Sequence, residues 1–260
     1  MRGMEKQPQT IQSVATWLSE SSSAVAFTGA GISTESGIPD FRSPGGVWAK
    51  NDPVYFDDFL ASASARHEYW RQKCESHADF ANAAPNAGHL ALAKWEQTQR
   101  LRGVITQNID GLHQEAGSDR VLELHGTARR VECLDCGASF VPDPLVAEFQ
   151  KTNAVPPCES CNGRLKHATV SFGQQLPTEV LEEAVAWCQQ ADLIFAIGSS
   201  LVVTPAADLP RITKASGGRL VIITRDPTPL DAMADAAIHE PIGETLQAID
   251  RCLRDQLEEA

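Results

Sequence analysis

Two Cys-x-x-Cys pairs, Cys133 with Cys136 and Cys158 with Cys161, stand 21 residues apart and constrain this chain more tightly than any other feature. Four thiolates at that spacing supply a tetrahedral shell for zinc, each pair forming one knuckle of a ribbon. A shell closed by four thiolates leaves no position for water, so the expected metal is structural rather than catalytic. Its binding free energy would hold together a stretch with little core of its own. Pro142, Pro144, Pro156 and Pro157 crowd the same stretch, which reads as a small module, residues 129–166, inserted into something larger. Cys74, Cys188 and Cys252 have no partner at ligand spacing and read as ordinary thiols.

The surrounding chain alternates helical periodicity with short apolar runs. Ile11, Val14, Trp17 and Leu18 mark an amphipathic first helix. Ser19 to Ser23 then reads as a brief polar linker, followed by the apolar run Ala24 to Phe27 and the turn Thr28-Gly29-Ala30-Gly31. Similar strand signals lie at 103–106, 193–197 and 220–224. Pro177 opens a helix that places Val180, Leu181, Ala184, Val185 and Cys188 on one face. Such alternation predicts an α/β fold, a doubly wound parallel sheet with helices on both faces. The tail after Arg251 reads as an acidic helix end.

Composition narrows the function. A net charge of -12 opposes non-specific binding to nucleic acid, which needs a basic footprint. It favours a lysine-bearing partner instead. No apolar run reaches the ~18 residues a membrane span needs, and residues 1–10 lack the apolar core of a secretory signal. Paired cysteines then point to metal ligands in a reducing compartment, the cytoplasm.

A strand that runs into Gly29-x-Gly31 suits a dinucleotide, because glycines let the backbone approach a pyrophosphate. The signal is incomplete, since Thr34 stands where a third glycine would complete the fingerprint. The long run to Asp40, Phe41 and Arg42 and on to Trp48 adds charge, an aromatic and a candidate lid. Gln107, Asn108, Ile109 and Asp110 follow the strand at 104–106, where polar groups would face a ligand crevice. His125, beside Gly126 after another short apolar alternation, is a candidate general base. His67, His77, His89, His167 and His239 read as surface or satisfied core residues, while His113 fits either role.

Together, Gly29 to Arg42, Gln107 to Asp110, His125-Gly126, the cysteine pairs, Phe172-Gly173 and Gly198-Ser199-Ser200-Leu201 resemble the sirtuins, NAD-dependent protein deacylases, in the family's order. The resemblance implies a Rossmann-like domain from residues 10–128 and 167–253, a zinc-binding insert at 129–166, and NAD as co-substrate. It implies that Gly29, Ala30, Gly31 and Ser33 meet the pyrophosphate and that Asp40, Phe41, Arg42 and Trp48 belong to the cofactor loop. Gln107, Asn108, Ile109 and Asp110 would surround the nicotinamide ribose. Gly198, Ser199, Ser200, Thr224, Arg225, Asp226 and Ile242 would take the adenosine side. Val170, Phe172, Gly173, Leu201 and Val202 would sandwich an acyl-lysine peptide as an added strand. The acyl oxygen would attack the anomeric carbon as nicotinamide leaves. His125, with Asn108, would be catalytic, His125 then deprotonating a ribose hydroxyl.

Four positions depart from the family pattern. Ala168 and Gln174 stand where acidic residues are common, Thr224 where asparagine is, and Ser199 where threonine is. The subclass that acts on acidic acyl groups carries Tyr-x-x-Arg, but here Gln72 follows Tyr69 at that spacing, so no succinyl preference is implied. Tyr69 and Trp70 read as helix-face packing. Protein mono-ADP-ribosylation is the alternative use of the same NAD site.

Overall fold

A computed structural model describes residues 6–41, 46–49 and 51–258. Its larger sheet is parallel throughout, with strands β1 (Ala24–Thr28), β2 (Val104–Thr106), β3 (Val121–Glu123), β7 (Leu193–Ile197), β8 (Arg219–Ile223) and β9 (Ala236–Ile238). Their spatial order is β3-β2-β1-β7-β8-β9. Counted along this sheet alone, that is the 3-2-1-4-5-6 order of the doubly wound dinucleotide fold. Order reverses between β1 and β7, which opens a crevice at their carboxyl ends.

The central strands are apolar on both faces because both faces are covered. Ala24, Ala26, Phe195, Ile197, Val221 and Ile223 turn toward α1 (Lys6–Glu20), α4 (Ala87–Gln97) and α9 (Ile242–Glu258). The alternate residues Val25, Phe27, Ile194, Ala196, Leu220 and Ile222 pack on α7 (Thr178–Gln190) and α8 (Leu209–Ala215). Ser21 to Ser23 form a fixed joint rather than a slack linker. The Asp192 carboxylate accepts from the Ser22 amide at 2.8 Å, the Ser22 hydroxyl at 2.6 Å and the Ser23 amide at 3.3 Å.

The second unit is a three-stranded antiparallel sheet, β5 (Ser139–Phe140), β4 (Gly126–Cys133) and β6 (Leu165–Thr169), with α6 (Pro142–Thr152) upon it. It extends beyond residues 129–166. Phe59 of α2 (Phe56–Ala61) and Tyr69, Trp70 and Cys74 of α3 (Ala63–Asn82) share one core with Val131, Cys133, Leu145, Val146, Phe149 and Leu165. Trp70 also donates its indole N–H to the Leu165 carbonyl at 3.0 Å. A short module cannot close a core alone, and this stretch of helix supplies the missing apolar face. Among the described residues no helix is long and apolar enough to cross a membrane.

Candidate functional site

The crevice at the switch point is a cavity of about 1070 Å³. On one side, β1 ends and the chain turns at Gly29 into a seven-residue 3-10 helix, Ala30–Ser36, where an α-helix would be expected. On the other, β7 ends at Gly198. The two turns interlock: the Gly29 amide donates to the Ile197 carbonyl at 2.9 Å and the Gly31 amide to that of Gly198 at 2.8 Å. Gly198 has φ +62°, and a Cβ there would lie 2.3 Å from the Ile32 nitrogen. Only glycine permits both that backbone and that approach.

The loop after β2 closes over this joint. Asn108 is buried, and its amide nitrogen donates to the Gly29 carbonyl at 3.2 Å and the Ser33 hydroxyl at 3.1 Å. Ser33 in turn donates to the Asp110 carboxylate at 2.7 Å, whose other oxygen accepts the Leu112 amide at 2.9 Å. Gln107 reaches across the crevice, donating to Ser199 Oγ at 2.8 Å. The glycine turn, the loop and the β7 turn thus form one hydrogen-bonded unit, which pre-sets the cavity wall.

His125 faces the same cavity from the start of β4. Its Nδ1 lies 3.0 Å from the Gln107 carbonyl. A carbonyl only accepts, so Nδ1 carries the proton and Nε2 keeps its lone pair. Burial pulls the imidazole pKa below its ordinary value, partly offset by that carbonyl. The next residue, Gly126, has φ +68°, and a Cβ there would stand 2.0 Å from the Ala168 carbonyl oxygen. Close pairing of β4 with β6 therefore fixes where His125 emerges.

Gly29, Ala30, Gly31, Asp40, Phe41, Gln107, Asn108, Ile109, Gly198, Ser199, Ser200, Thr224, Arg225, Asp226 and Ile242 line the cavity, as do His125, Val170, Phe172 and Gly173. Ser33 and Asp110 do not line it. Both are buried behind the wall, bonded to each other and to Asn108. Leu201 is also off the wall. It is 4% exposed, with φ +53°, and packs in the core beneath α7 and α8. Val202 is half exposed but outside the lining, where Val203 stands instead. Arg42, Ser43 to Gly45 of the candidate lid, and the side chain of Trp48 lie outside the described residues.

Glu35, Lys73, Thr169 and Glu240 draw no reading as site residues from the sequence, yet all stand on the wall, as does Gln72, which the sequence marks only through its spacing from Tyr69. Tyr69 and Trp70 are buried as expected, but Tyr69 also lines the cavity and its hydroxyl lies 3.2 Å from Thr169 Oγ1. Helical spacing of Tyr69, Gln72 and Lys73, one face at i, i+3 and i+4, was the available signal. Burial holds the Lys73 ammonium down to about 8.

The four paired cysteines converge, with all four Sγ atoms within 4.8 Å of one another. Cys133 and Cys161 sulfurs are 3.5 Å apart and those of Cys136 and Cys158 are 3.7 Å apart. Four ligands at the usual zinc–sulfur distance would sit roughly 3.8 Å apart at tetrahedral corners. The residues present therefore fit a structural zinc ion, held by Cys133, Cys136, Cys158 and Cys161. Cys133 and Cys158 also contribute to the core shared with α3, so this centre would brace one side of the cavity.

Comparison with known proteins agrees with this geometry. The Sir2 family profile matches residues 29–205. The NAD-dependent protein deacetylase of Rhodopseudomonas palustris is 47% identical over 91% of this chain and 94% of its own length. NAD-dependent protein deacylase 2 of Archaeoglobus fulgidus is 41% identical over 92% of this chain and 94% of its own. A solved complex of Sir2 with a p53 peptide and NAD+ superposes with a TM-score of 0.86 at 38% identity, covering 95% of this chain and 99% of that one. Another, Sir2Tm bound to a propionylated peptide, gives 0.83 at 38% identity, covering 95% and 98%. A match that runs from Gly29 through the cysteine module and past Gly198, in one fold and one order, means that this chain belongs to the Sir2 family.

Proposed function

We propose that this protein is an NAD-dependent protein-lysine deacylase that moves an acyl group, acetyl first among those expected, from lysine to ADP-ribose with release of nicotinamide. One observation carries the reading: His125 presents a neutral, proton-free Nε2 to the cavity that also holds the Gly29–Gly31 turn and Asn108. NAD supplies an anomeric carbon with a good leaving group. The protein's residues orient it and manage one proton.

In this reading Gly29, Ala30 and Gly31 approach the pyrophosphate, while Gly198, Ser199, Thr224, Arg225 and Ile242 receive the adenosine half. Asn108 and Gln107 hold the nicotinamide ribose, and Ser33 and Asp110 act one layer back by holding Asn108. His125 Nε2 takes a proton from a ribose hydroxyl, which then attacks the acyl carbon. The peptide lies along Val170 to Gly173. Val170 spends its amide on the His125 carbonyl at 2.8 Å, which ties the peptide edge to the base. The thiolate site suits a reducing cytoplasm.

The test is a panel of acyl-lysine peptides with NAD, scored by nicotinamide release and by the fate of labelled NAD. Label leaving as O-acyl-ADP-ribose supports the reading. Label retained on protein would favour ADP-ribosyl transfer, and no release with any acyl group would overturn deacylation.

A further inference from the structure

The site described so far makes no use of His113, the last residue of the run Gln107 to His113. It is 1% exposed and lies at the start of α5 (Leu112–Glu115). Its Nε2 lies 2.9 Å from Thr28 Oγ1. Thr28 Oγ1 donates to Thr106 Oγ1 at 2.8 Å, and Thr106 Oγ1 also accepts the backbone amide of Asn108 at 3.0 Å. Thr28 and Thr106 are the last residues of β1 and β2 and sit opposite one another in the ladder.

Proton counting orders this chain. A hydroxyl has one proton, and that of Thr28 goes to Thr106, so Thr28 must accept from the ring. His113 is therefore the Nε2–H tautomer, and its Nδ1 is a buried lone pair with no partner among the described residues. Against it stands the His89 ring, 4.9 Å away edge-on, with its own Nε2 unpartnered. Burial with a second imidazole alongside holds His113 down to about 3, so it is neutral at any working pH. An apolar side chain would fill this space without an orphaned nitrogen. What the imidazole adds is a donor aimed at the root of the Asn108 loop.

We propose that His113 is a positioning residue for NAD cleavage, acting through the hydroxyls of Thr28 and Thr106 to fix the main chain at Asn108. Asn108, on the cavity wall, then stands where its amide nitrogen meets Gly29 and Ser33. The proposal rests on the deacylase reading of this site.

The experiment compares wild type, Thr28→Val, Thr28→Ser, His113→Phe and the Thr28→Val/His113→Phe double variant, each checked for folding by its melting temperature. Nicotinamide release with an acetyl-lysine peptide gives kcat and the KM for NAD. A loosened loop misplaces the reacting ribose, so Thr28→Val and His113→Phe should each lower kcat/KM for NAD by roughly ten- to a hundredfold. Thr28→Ser, which keeps the hydroxyl and loses only a methyl, should recover most of that loss. The double variant should be no worse than the poorer single one, because both break the same chain. Wild-type rates in Thr28→Val, equal losses in Thr28→Ser, or multiplying losses in the double variant would overturn the proposal. Should His113→Phe not fold, the two Thr28 variants decide alone. Wild type that releases no nicotinamide with any acyl peptide overturns both readings. An active wild type with an active Thr28→Val overturns only this one.

Discussion

The His125 ring donates its Nδ1 proton to the Gln107 carbonyl across 3.0 Å, and this contact decides which nitrogen can act as a base. Gln107 begins the loop that holds Asn108, so the proposed base and the loop proposed to hold the ribose are positioned by one bond. His125→Ala removes the base but leaves the glycine turns untouched. Formation of O-acyl-ADP-ribose should fall by at least the 10²–10⁴-fold typical of general-base loss. NAD affinity, measured by calorimetry, should change little; near-normal turnover would contradict the assignment.

Activity should also depend on pH with a definite sign. The base works only when Nε2 is free, and burial lowers the His125 pKa. The acidic limb of a kcat/KM profile should therefore lie below 6.5, with the rate falling as pH drops through it. A limb above 6.5 would mean that a different group controls the step, or that an anionic partner raises the His125 pKa.

Acid should destabilise the fold through three other histidines. Burial holds His89 at about 4 and His113 and His167 at about 3, all below the ordinary value of 6.5. The unfolded chain takes up these protons first, so stability is full above about 6.5 and declines as pH falls toward the folded values. Each histidine contributes about 1.4 kcal/mol per pH unit in that window. Melting temperature measured from pH 7.5 to 4.5 should drop below pH 6.5, and a flat curve would refute the neutral-histidine picture.

Gly198→Ala tests the interlocked turns. The new Cβ meets the Ile32 nitrogen at 2.3 Å on a backbone with φ +62°. The left-handed backbone alone costs about 1–2 kcal/mol, and the clash must spread β7 from β1. Both NAD affinity and melting temperature should fall. A variant that binds NAD normally would show that the crevice does not need this contact.

Removing zinc should loosen more than residues 129–166. Phe59, Tyr69 and Trp70 share the core that Cys133 and Cys158 enter. Metal analysis should find one zinc per chain, lost in Cys161→Ser. Amide exchange in that variant should rise across α2 and α3 as well as β4 to β6. Exchange confined to the insert would contradict the shared core.

Much of this site could be read before any coordinates. The cysteine quartet, the strand into Gly29 and the loop Gln107 to Asp110 all rest on spacing within a few residues, and all converge in the fold. Asp110 reads as a ligand contact because polar residues beyond a strand end usually face the crevice, and for Ser33 the sirtuin resemblance implies a pyrophosphate contact. In the fold they turn behind it to hold Asn108, a distinction that depends on partners 75 and 77 residues away. Leu201 leaves the wall for a similar reason: its left-handed backbone turns the side chain into the core. Tyr69 reads as packing alone and Lys73 draws no notice, because a helix face that packs on one unit and also lines a cavity looks, locally, like packing.

The thiolate set, the parallel alternation and the residue types that could grip NAD are legible in the local sequence. These follow from local periodicity and from the few chemistries that such residues allow. Folding alone reveals that α2 and α3 complete the core of the four-cysteine unit, that Gly198 locks against Gly31, and that His125 is free at Nε2. Each depends on contacts between segments distant in the chain, where hydrogen-bond geometry and close packing choose among side-chain directions that the local sequence leaves equal.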